Sequence, residues 1–133
     1  MREIRFRGKQ WDNCEWVYGY LMDWAGRPLI GVYKALGGEA TAKDCLLWNY
    51  RPVDPATVGQ FTGLRDRNGT EIYEGDIVQD ELGEVFLVEY VRFGYVLKQI
   101  GEPWCRFPYE YDEYEVIGNI HDNPELLEVD KNA

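Results

Sequence analysis

The sequence predicts a mainly β fold, a β-rich α+β arrangement of short strands with little helix. Apolar residues recur with period two or in short continuous runs, a pattern that is typical of strands and not of helices. Glycine, proline and asparagine separate these runs at short intervals, as turns between strands require. The 133 residues are 45% hydrophobic and 15% aromatic, which is enough apolar material for the core of a single domain.

The first strand is predicted at the start of the chain. Ile4 and Phe6 alternate there with Arg5 and Arg7. Because successive side chains of a strand point to opposite faces, this alternation predicts one dry apolar face and one wet basic face.

Further strands complete a predicted N-terminal β meander over residues 1–60. Residues 16–21 and 29–33 are rich in aromatic and β-branched side chains, and residues 46–50 form another candidate strand. Residues 23–28 contain a glycine and a proline and are predicted to connect the first two of these strands.

A short helical turn is predicted at the start of the run VDPATVGQFTGLRDRNGTEIYEGDIV, residues 53–78. Asp54 is an N-cap residue and Pro55 suits the first helical position, whereas Gly59 is a suitable stop. One turn of helix fits between them.

The same run predicts a tight hairpin at Asp66-Arg67-Asn68-Gly69, because Asp bonds the backbone of a turn and Asn and Gly tolerate positive φ. Spacing leaves two turns open: a two-residue loop centred on Asn68-Gly69, or a type I turn with Gly69 in a bulge. Residues 70–73 and 77–78 follow as strand, interrupted at 74–76. The structural motif predicted for this hairpin consists of Asp66, Asn68, Gly69, Tyr73, Gly75 and Asp76.

The second part, residues 61–133, is predicted to be barrel-like. Strands at 84–91 and 94–100, with Gly94 near their turn, bring the count to four or five short strands. Such spacing suits a small SH3-like barrel or a similar curled sheet. Asn123 and Pro124 repeat the cap-then-proline start and predict a short C-terminal helical turn.

Three segments of the chain resemble the YopX protein family of bacteriophages and prophages. They are TGLRDRNGTEIYEGDIV, the opening MREIRFRGKQWD and the ending YEVIGNIHDNPELLE, while residues 26–51 and 80–107 match weakly. The resemblance implies a small, mostly β phage-encoded protein of the bacterial cytoplasm with no established biochemical activity. It offers no catalytic residue to carry over.

Charge is distributed unevenly along the chain. Residues 1–60 hold eight Lys or Arg and seven Asp or Glu, a net +1, whereas residues 61–133 hold six and seventeen, a net −11, which sums to −10. Because such a field repels phosphate, nucleic acid is disfavoured as a partner. Only one cluster of basic and aromatic residues favours binding to nucleic acid: Arg2, Arg5, Arg7, Lys9 and Trp11.

Composition excludes most catalytic arrangements. The chain has no serine and a single histidine, His121, so a Ser/His/Asp triad is impossible. Cys14, Cys45 and Cys105 are too scattered for a disulfide framework or a zinc site, and we expect buried or inert thiols. No cofactor, metal or membrane span is predicted, and the chain is expected to be cytoplasmic and not an enzyme.

One segment of the sequence partly matches a metal-binding loop with oxygen ligands. Asp66, Asn68 and Thr70 alternate like the first ligands of an EF-hand loop, but that loop requires glycine at its sixth position and an acid at its twelfth. Here Gly69 is fourth and Ile77 is twelfth, so the residues are interpreted as a turn.

The predicted function is a non-catalytic protein-interaction or self-assembling β module, whose partner is another copy or a basic host protein. The candidate surface is an acidic, tyrosine-rich segment: Tyr109, Glu110, Tyr111, Asp112, Glu113, Tyr114 and Glu115. The other aromatic residues, Trp16, Tyr18, Tyr20 and Trp24 among them, are numerous enough to suggest an exposed patch, but the core is their default assignment. Two alternatives stay open: an acidic decoy that inhibits a basic host nucleic-acid-binding protein, and an enzyme that uses carboxylates and a divalent ion.

Overall fold

A computed structural model describes residues 4–32, 50–91, 94–103, 105–106 and 113–128. The chain forms two compact units, Met1–Phe61 and Thr62–Ala133. Both are built from antiparallel strands, and the described helices are single 3₁₀ turns, so the predicted mainly β class is confirmed. The sequence analysis divided the chain between residues 60 and 61, one residue before the boundary between these two units.

The first unit contains a meander of antiparallel strands. Hydrogen-bonded neighbours follow the order β4-β3-β2-β1-β5, and β5 continues into the second unit. The strands are β1 (Phe6–Lys9), β2 (Trp16–Trp24), β3 (Arg27–Val32), β4 (Tyr50–Pro52) and β5 (Gly59–Arg65).

The second unit contains the hairpin of β5 with β6 and a sheet in the order β10-β9-β8-β7-β11. That this half closes as an SH3-like barrel stays a prediction. The strands are β6 (Glu71–Tyr73), β7 (Asp76–Gln79), β8 (Val85–Val91), β9 (Gly94–Gln99), β10 (Cys105–Arg106) and β11 (Glu115–Asn119).

The second unit has a contiguous apolar core. The rings of Phe86 and Tyr114 meet edge to face, with centroids 5.7 Å apart. Packing of this kind adds about 0.5–1.5 kcal/mol beyond the burial of apolar area. The buried members of the core are Ile72, Val78, Phe86, Val88, Leu97 and Tyr114.

The prediction that β1 has an exposed basic face and a buried apolar face is wrong. Arg7 is only 6% exposed, whereas Ile4 is 61% exposed. The guanidinium of Arg7 lies 4.6 Å from the ring centroid of Trp16, and that of Arg5 lies 5.1 Å from Phe61. Aromatic rings accept the flat arginine head and its apolar stem, so these basic side chains pack instead of extending into solvent.

The connection between β2 and β3 is shorter than the predicted 23–28. Only Ala25 and Gly26 lie outside the strands, with φ of 52° and 82°. Two positive φ values define the tight hairpin turn that matches strand twist, and the Gly26 amide donates to Asp23 Oδ1 at 2.9 Å. Pro28 is therefore part of the ladder, opposite Asp23.

The predicted helical turn near residue 54 is present as a 3₁₀ turn over Pro55–Thr57. Asp54 caps it, because its Oδ1 accepts from the Ala56 amide at 3.0 Å. Gly59 does not end the turn as predicted, since Val58 is the C-cap and Gly59 already begins β5.

The C-terminal helical turn is also present, over Pro124–Leu127, but Asn123 does not cap it through its side chain. Its Oδ1 instead accepts from the Asn119 amide at 3.2 Å. A Cβ at Gly118 would lie 2.5 Å from that oxygen, so glycine is the residue that this contact allows.

Of the expected buried or inert thiols, the two that the structure describes are not buried, and their inertness stays a prediction. Cys14 and Cys105 are both exposed and free. Cys14 follows the turn after β1 with φ of 59°, and Cys105 lies on β10, the edge strand of its sheet. Cys45 and the predicted strand residues 46–49 fall outside the described ranges.

Candidate interaction surface

The turn at Asp66–Gly69 is the second of the two predicted forms. The Gly69 amide donates to Asp66 O at 3.0 Å, and the Asp66 amide donates to Thr70 O at 2.9 Å. Gly69 and Thr70 on one strand therefore lie opposite the single residue Asp66 on the other. Gly69 has a φ of 82°, whereas the φ of Asn68 is not positive. This is a type I turn followed by a glycine bulge.

The carboxylate of Asp66 is saturated by backbone amides. Its Oδ1 accepts from Asn68 at 2.9 Å and Thr70 at 2.8 Å, and its Oδ2 accepts from the Val116 amide of β11 at 2.9 Å. Asp66 is 5% exposed. Because both oxygens already hold N–H donors, the residue connects the hairpin to β11, and the EF-hand resemblance of this segment is explained by the turn.

The same turn occurs a second time at Asp80–Gly83. The Gly83 amide donates to Asp80 O at 3.1 Å, and Asp80 Oδ1 accepts from the Leu82 and Glu84 amides at 3.0 and 2.9 Å. The sequence signal is a repeated D-x-x-G pattern, which the sequence reasoning did not use.

The other members of the predicted motif join β6 to β7. The Tyr73 amide donates to Asp76 Oδ2 at 2.7 Å, and Asp76 is 2% exposed. Gly75 has φ of 92°, its amide donates to Val88 O, and its carbonyl accepts from the Ile120 amide. The six residues of the motif thus lie in two turns, one before and one after β6, and the hydrogen bonds of Asp66, Gly69, Tyr73, Gly75 and Asp76 join these turns to the backbone of the second unit.

The predicted acidic surface at 109–115 is described only at its end. Residues 109–112, namely Tyr109, Glu110, Tyr111 and Asp112, lie outside the described ranges. Glu113 is exposed, and Glu115 pairs with Arg67 at 3.4 Å. Tyr114 is 7% exposed and belongs to the core. Its ring is covered by protein and does not offer a contact face, because it packs against Phe86.

No metal centre is evident among the described residues, where no group of three His, Cys, Asp or Glu side chains is placed to hold an ion. His121 lies in the turn after β11, with its amide donating to Asn119 Oδ1 at 3.0 Å.

One face of β2 carries large apolar side chains in solvent. Alternate residues of a strand share a face, so five residues from Trp16 to Trp24 point the same way. The last four are 42%, 42%, 37% and 73% exposed. In order, these four are Tyr18, Tyr20, Met22 and Trp24.

The neighbouring strands add basic residues to this face. Strand register places Arg7 opposite Tyr18 and Arg27 opposite Trp24, and paired residues of antiparallel strands share a face. Arg27 is exposed beside Trp24. We call the set Tyr18, Tyr20, Met22, Trp24 and Arg27 the aromatic face.

Sequence reasoning assigned three of these residues to the core, and the structure corrects this for Tyr18, Tyr20 and Trp24. The residues between them are Val17, Gly19 and Leu21, which are also apolar or small, and Asp23, the one charged residue, near the end of the strand. Both faces of β2 therefore have the hydrophobicity of a core face, and period two alone does not distinguish them.

The second unit carries a shallow depression of ≈ 380 Å³. Its lining combines two carboxylates, an exposed aromatic ring and apolar residues. We call it the acidic depression, and the residues that line it are Glu74, Gly75, Leu87, Val88, Glu89, Tyr90 and Ile120. Tyr90 is 58% exposed.

Among the described residues, no helix combines the length and the apolar character that crossing a membrane requires.

Comparison with known proteins gives a family and a fold. No curated protein matches the chain. The crystal structure of protein EF1440 from Enterococcus faecalis is similar, with a TM-score of 0.54 and 24% identity over 96% of this chain and 100% of that one. At this identity the likeness shows the fold alone. The YopX protein family model matches residues 5–128, nearly the whole chain, and the protein therefore belongs to the YopX family.

Proposed function

We propose that this chain is a non-catalytic protein-interaction module that binds its partner through the aromatic face. The observation that carries the proposal is the row of exposed Tyr18, Tyr20, Met22 and Trp24 along one strand. Single exposed apolar residues are normal on protein surfaces, but a contiguous row marks a contact site.

The composition of the aromatic face supports a protein partner. Tyr, Trp, Met and Arg are the residues enriched at the centres of protein interfaces, whereas Lys, Glu and Asp are depleted there. The face contains each of the four enriched types and no acidic residue. Trp, Tyr and Arg also dominate the small groups of residues that supply most binding energy.

The setting of the face on a sheet supports the same function. Tyr18 and Tyr20 lie on the central part of β2, which is paired on one side with β1 and on the other with β3. Rings on a paired strand lose little freedom on binding, which favours affinity. As the family resemblance implies, we place this activity in the cytoplasm of a bacterial host of a phage or prophage.

The test uses site-specific photo-crosslinking in cells that express the protein. A photoreactive phenylalanine at Tyr20 should give one dominant protein adduct. The matched control is the same group at Leu21, which is 38% exposed on the opposite face of the same strand. Equal adducts at both positions, or none at Tyr20, would refute the proposal.

A further inference from the structure

We infer that the partner of the aromatic face is a second copy of this chain, bound head to tail. In this arrangement the tip of the β2–β3 hairpin of one copy docks in the acidic depression of the next copy. The inference rests on the proposed function and names its partner.

The hairpin tip has the shape and chemistry of an anchor. The two-residue turn at Ala25 and Gly26 brings Trp24 and Arg27 together as a cross-strand pair on one face. Trp24 is 73% exposed, more than Tyr18, Tyr20 or Met22. Within the described residues, Arg27 takes part in no ion pair, so its charge is available to a partner.

The acidic depression has the complementary chemistry. Glu74 and Glu89 supply carboxylates that a guanidinium binds through strong, charge-assisted hydrogen bonds. The exposed Tyr90 offers its ring to an indole ring or a cation. Its ≈ 380 Å³ is at the small end of the range of about 300–1,000 Å³ typical of pockets, which suits a side-chain anchor.

Charge favours head-to-tail contact over contact between two identical faces. Pairing aromatic face with aromatic face would bring Arg27 residues of both copies to one interface. Residues 61–133 carry a net −11, so the second unit of another copy attracts the hairpin tip instead. Contact between two different surfaces does not close by a two-fold axis and produces a ring or a filament.

The experiment begins with the wild-type chain in sedimentation velocity. We expect oligomers larger than a dimer that grow with protein concentration and dissociate as salt is raised, because the contact includes charge pairs. Replacement of the anchor by Trp24→Ala should weaken self-association by about 30-fold or more. Trp24 is mostly exposed, so this variant should keep its melting temperature.

Two charge-reversal variants then test the direction of the contact. Arg27→Glu spoils the anchor and leaves the depression intact, whereas Glu74→Lys with Glu89→Lys spoils the depression and leaves the anchor intact. Each variant should be monomeric alone. Their mixture should associate again, starting with a heterodimer, because an intact anchor meets an intact depression and the reversed anchor and reversed depression again carry opposite charges.

The matched control is Glu81→Lys with Glu125→Lys, the same charge change at two exposed acids outside the depression. Its oligomers should persist. A monomeric wild type would overturn the inference while leaving the proposed function standing if Tyr20 still crosslinks to another protein. Assembly that is unaffected by Trp24→Ala would also overturn the inference, as would a mixture that forms no heterodimer.

Discussion

Asp66 acts as a structural acceptor although its sequence pattern resembles that of a metal ligand. Three backbone amides from two parts of the second unit converge on its carboxylate. Asp80 occupies the equivalent position of the second turn, but its other oxygen meets only the half-exposed Arg106 at 3.6 Å. The two residues thus share a local role and differ in what their second oxygen holds.

This difference predicts unequal costs of the same substitution. Asn keeps one oxygen for the turn amides and replaces the other with an NH₂ donor. In Asp66→Asn, that donor would face the Val116 amide and leave it unsatisfied, which should cost about 1–3 kcal/mol of unfolding free energy. Asp80→Asn keeps an oxygen for the turn amides and loses only the long ion pair with the half-exposed Arg106, so it should cost about 0–1 kcal/mol.

Urea unfolding of both variants checks this prediction. The slope of free energy against urea should match that of the wild type, so that the midpoints report stability. Equal midpoints for the two variants would show that the Asp66–Val116 bond contributes nothing.

At the scale of the element, the turn at Asp66–Gly69 depends on backbone conformation. Gly69 has φ of 82°, and a Cβ there meets no atom within 4 Å. Any penalty for a side chain is therefore conformational and not steric. Gly69→Val should cost about 1–2 kcal/mol, the usual penalty for this left-handed conformation.

Gly69→Asn provides the control, because Asn adopts this conformation more readily than other side chains. We expect the asparagine variant to retain most of the stability in thermal unfolding, with the valine variant clearly below it. If both variants had the melting temperature of the wild type, the assignment of Gly69 to a bulge would be mistaken.

Turns were the elements that the sequence predicted best, because their chemistry is local. The Asp66–Gly69 hairpin and the turn after Asp54 depend on residues within four positions of each other. Faces of strands were predicted less well. Burial of Arg7 and exposure of Trp24 depend on which elements pack against each face, and period two carries no such information.

The candidate site was missed for the same reason. An aromatic residue at a strand position has equal local propensity whether the face is a core or an interface. Two sequence signals were present: the number of aromatic residues, which suggests an exposed patch, and the apolar residues on both faces of β2 between Trp16 and Leu21, more than one core needs. Composition alone pointed instead to the acidic residues of the second half.

At the scale of the whole molecule, charge influences stability and assembly in opposite directions. The chain has a net charge of −10, and like charges within a folded protein repel one another. Salt screens charges separated by more than about 10 Å at roughly 0.1 M, so it relieves this repulsion. The same salt weakens attraction between the basic hairpin tip and an acidic surface.

Trp24→Ala separates the two effects, because it should leave a folded chain that does not assemble. Raising NaCl from about 0.02 to about 0.3 M should increase its melting temperature, each kcal/mol of relieved repulsion giving roughly 4 °C for a chain of this size. Differential scanning fluorimetry measures the shift. In wild type, the same salt range should reduce the oligomer fraction while the monomer becomes more stable.

Removing two acids by Glu81→Gln with Glu125→Gln should make the melting temperature less dependent on salt. An unchanged dependence would show that the net −11 of the second half does not limit stability.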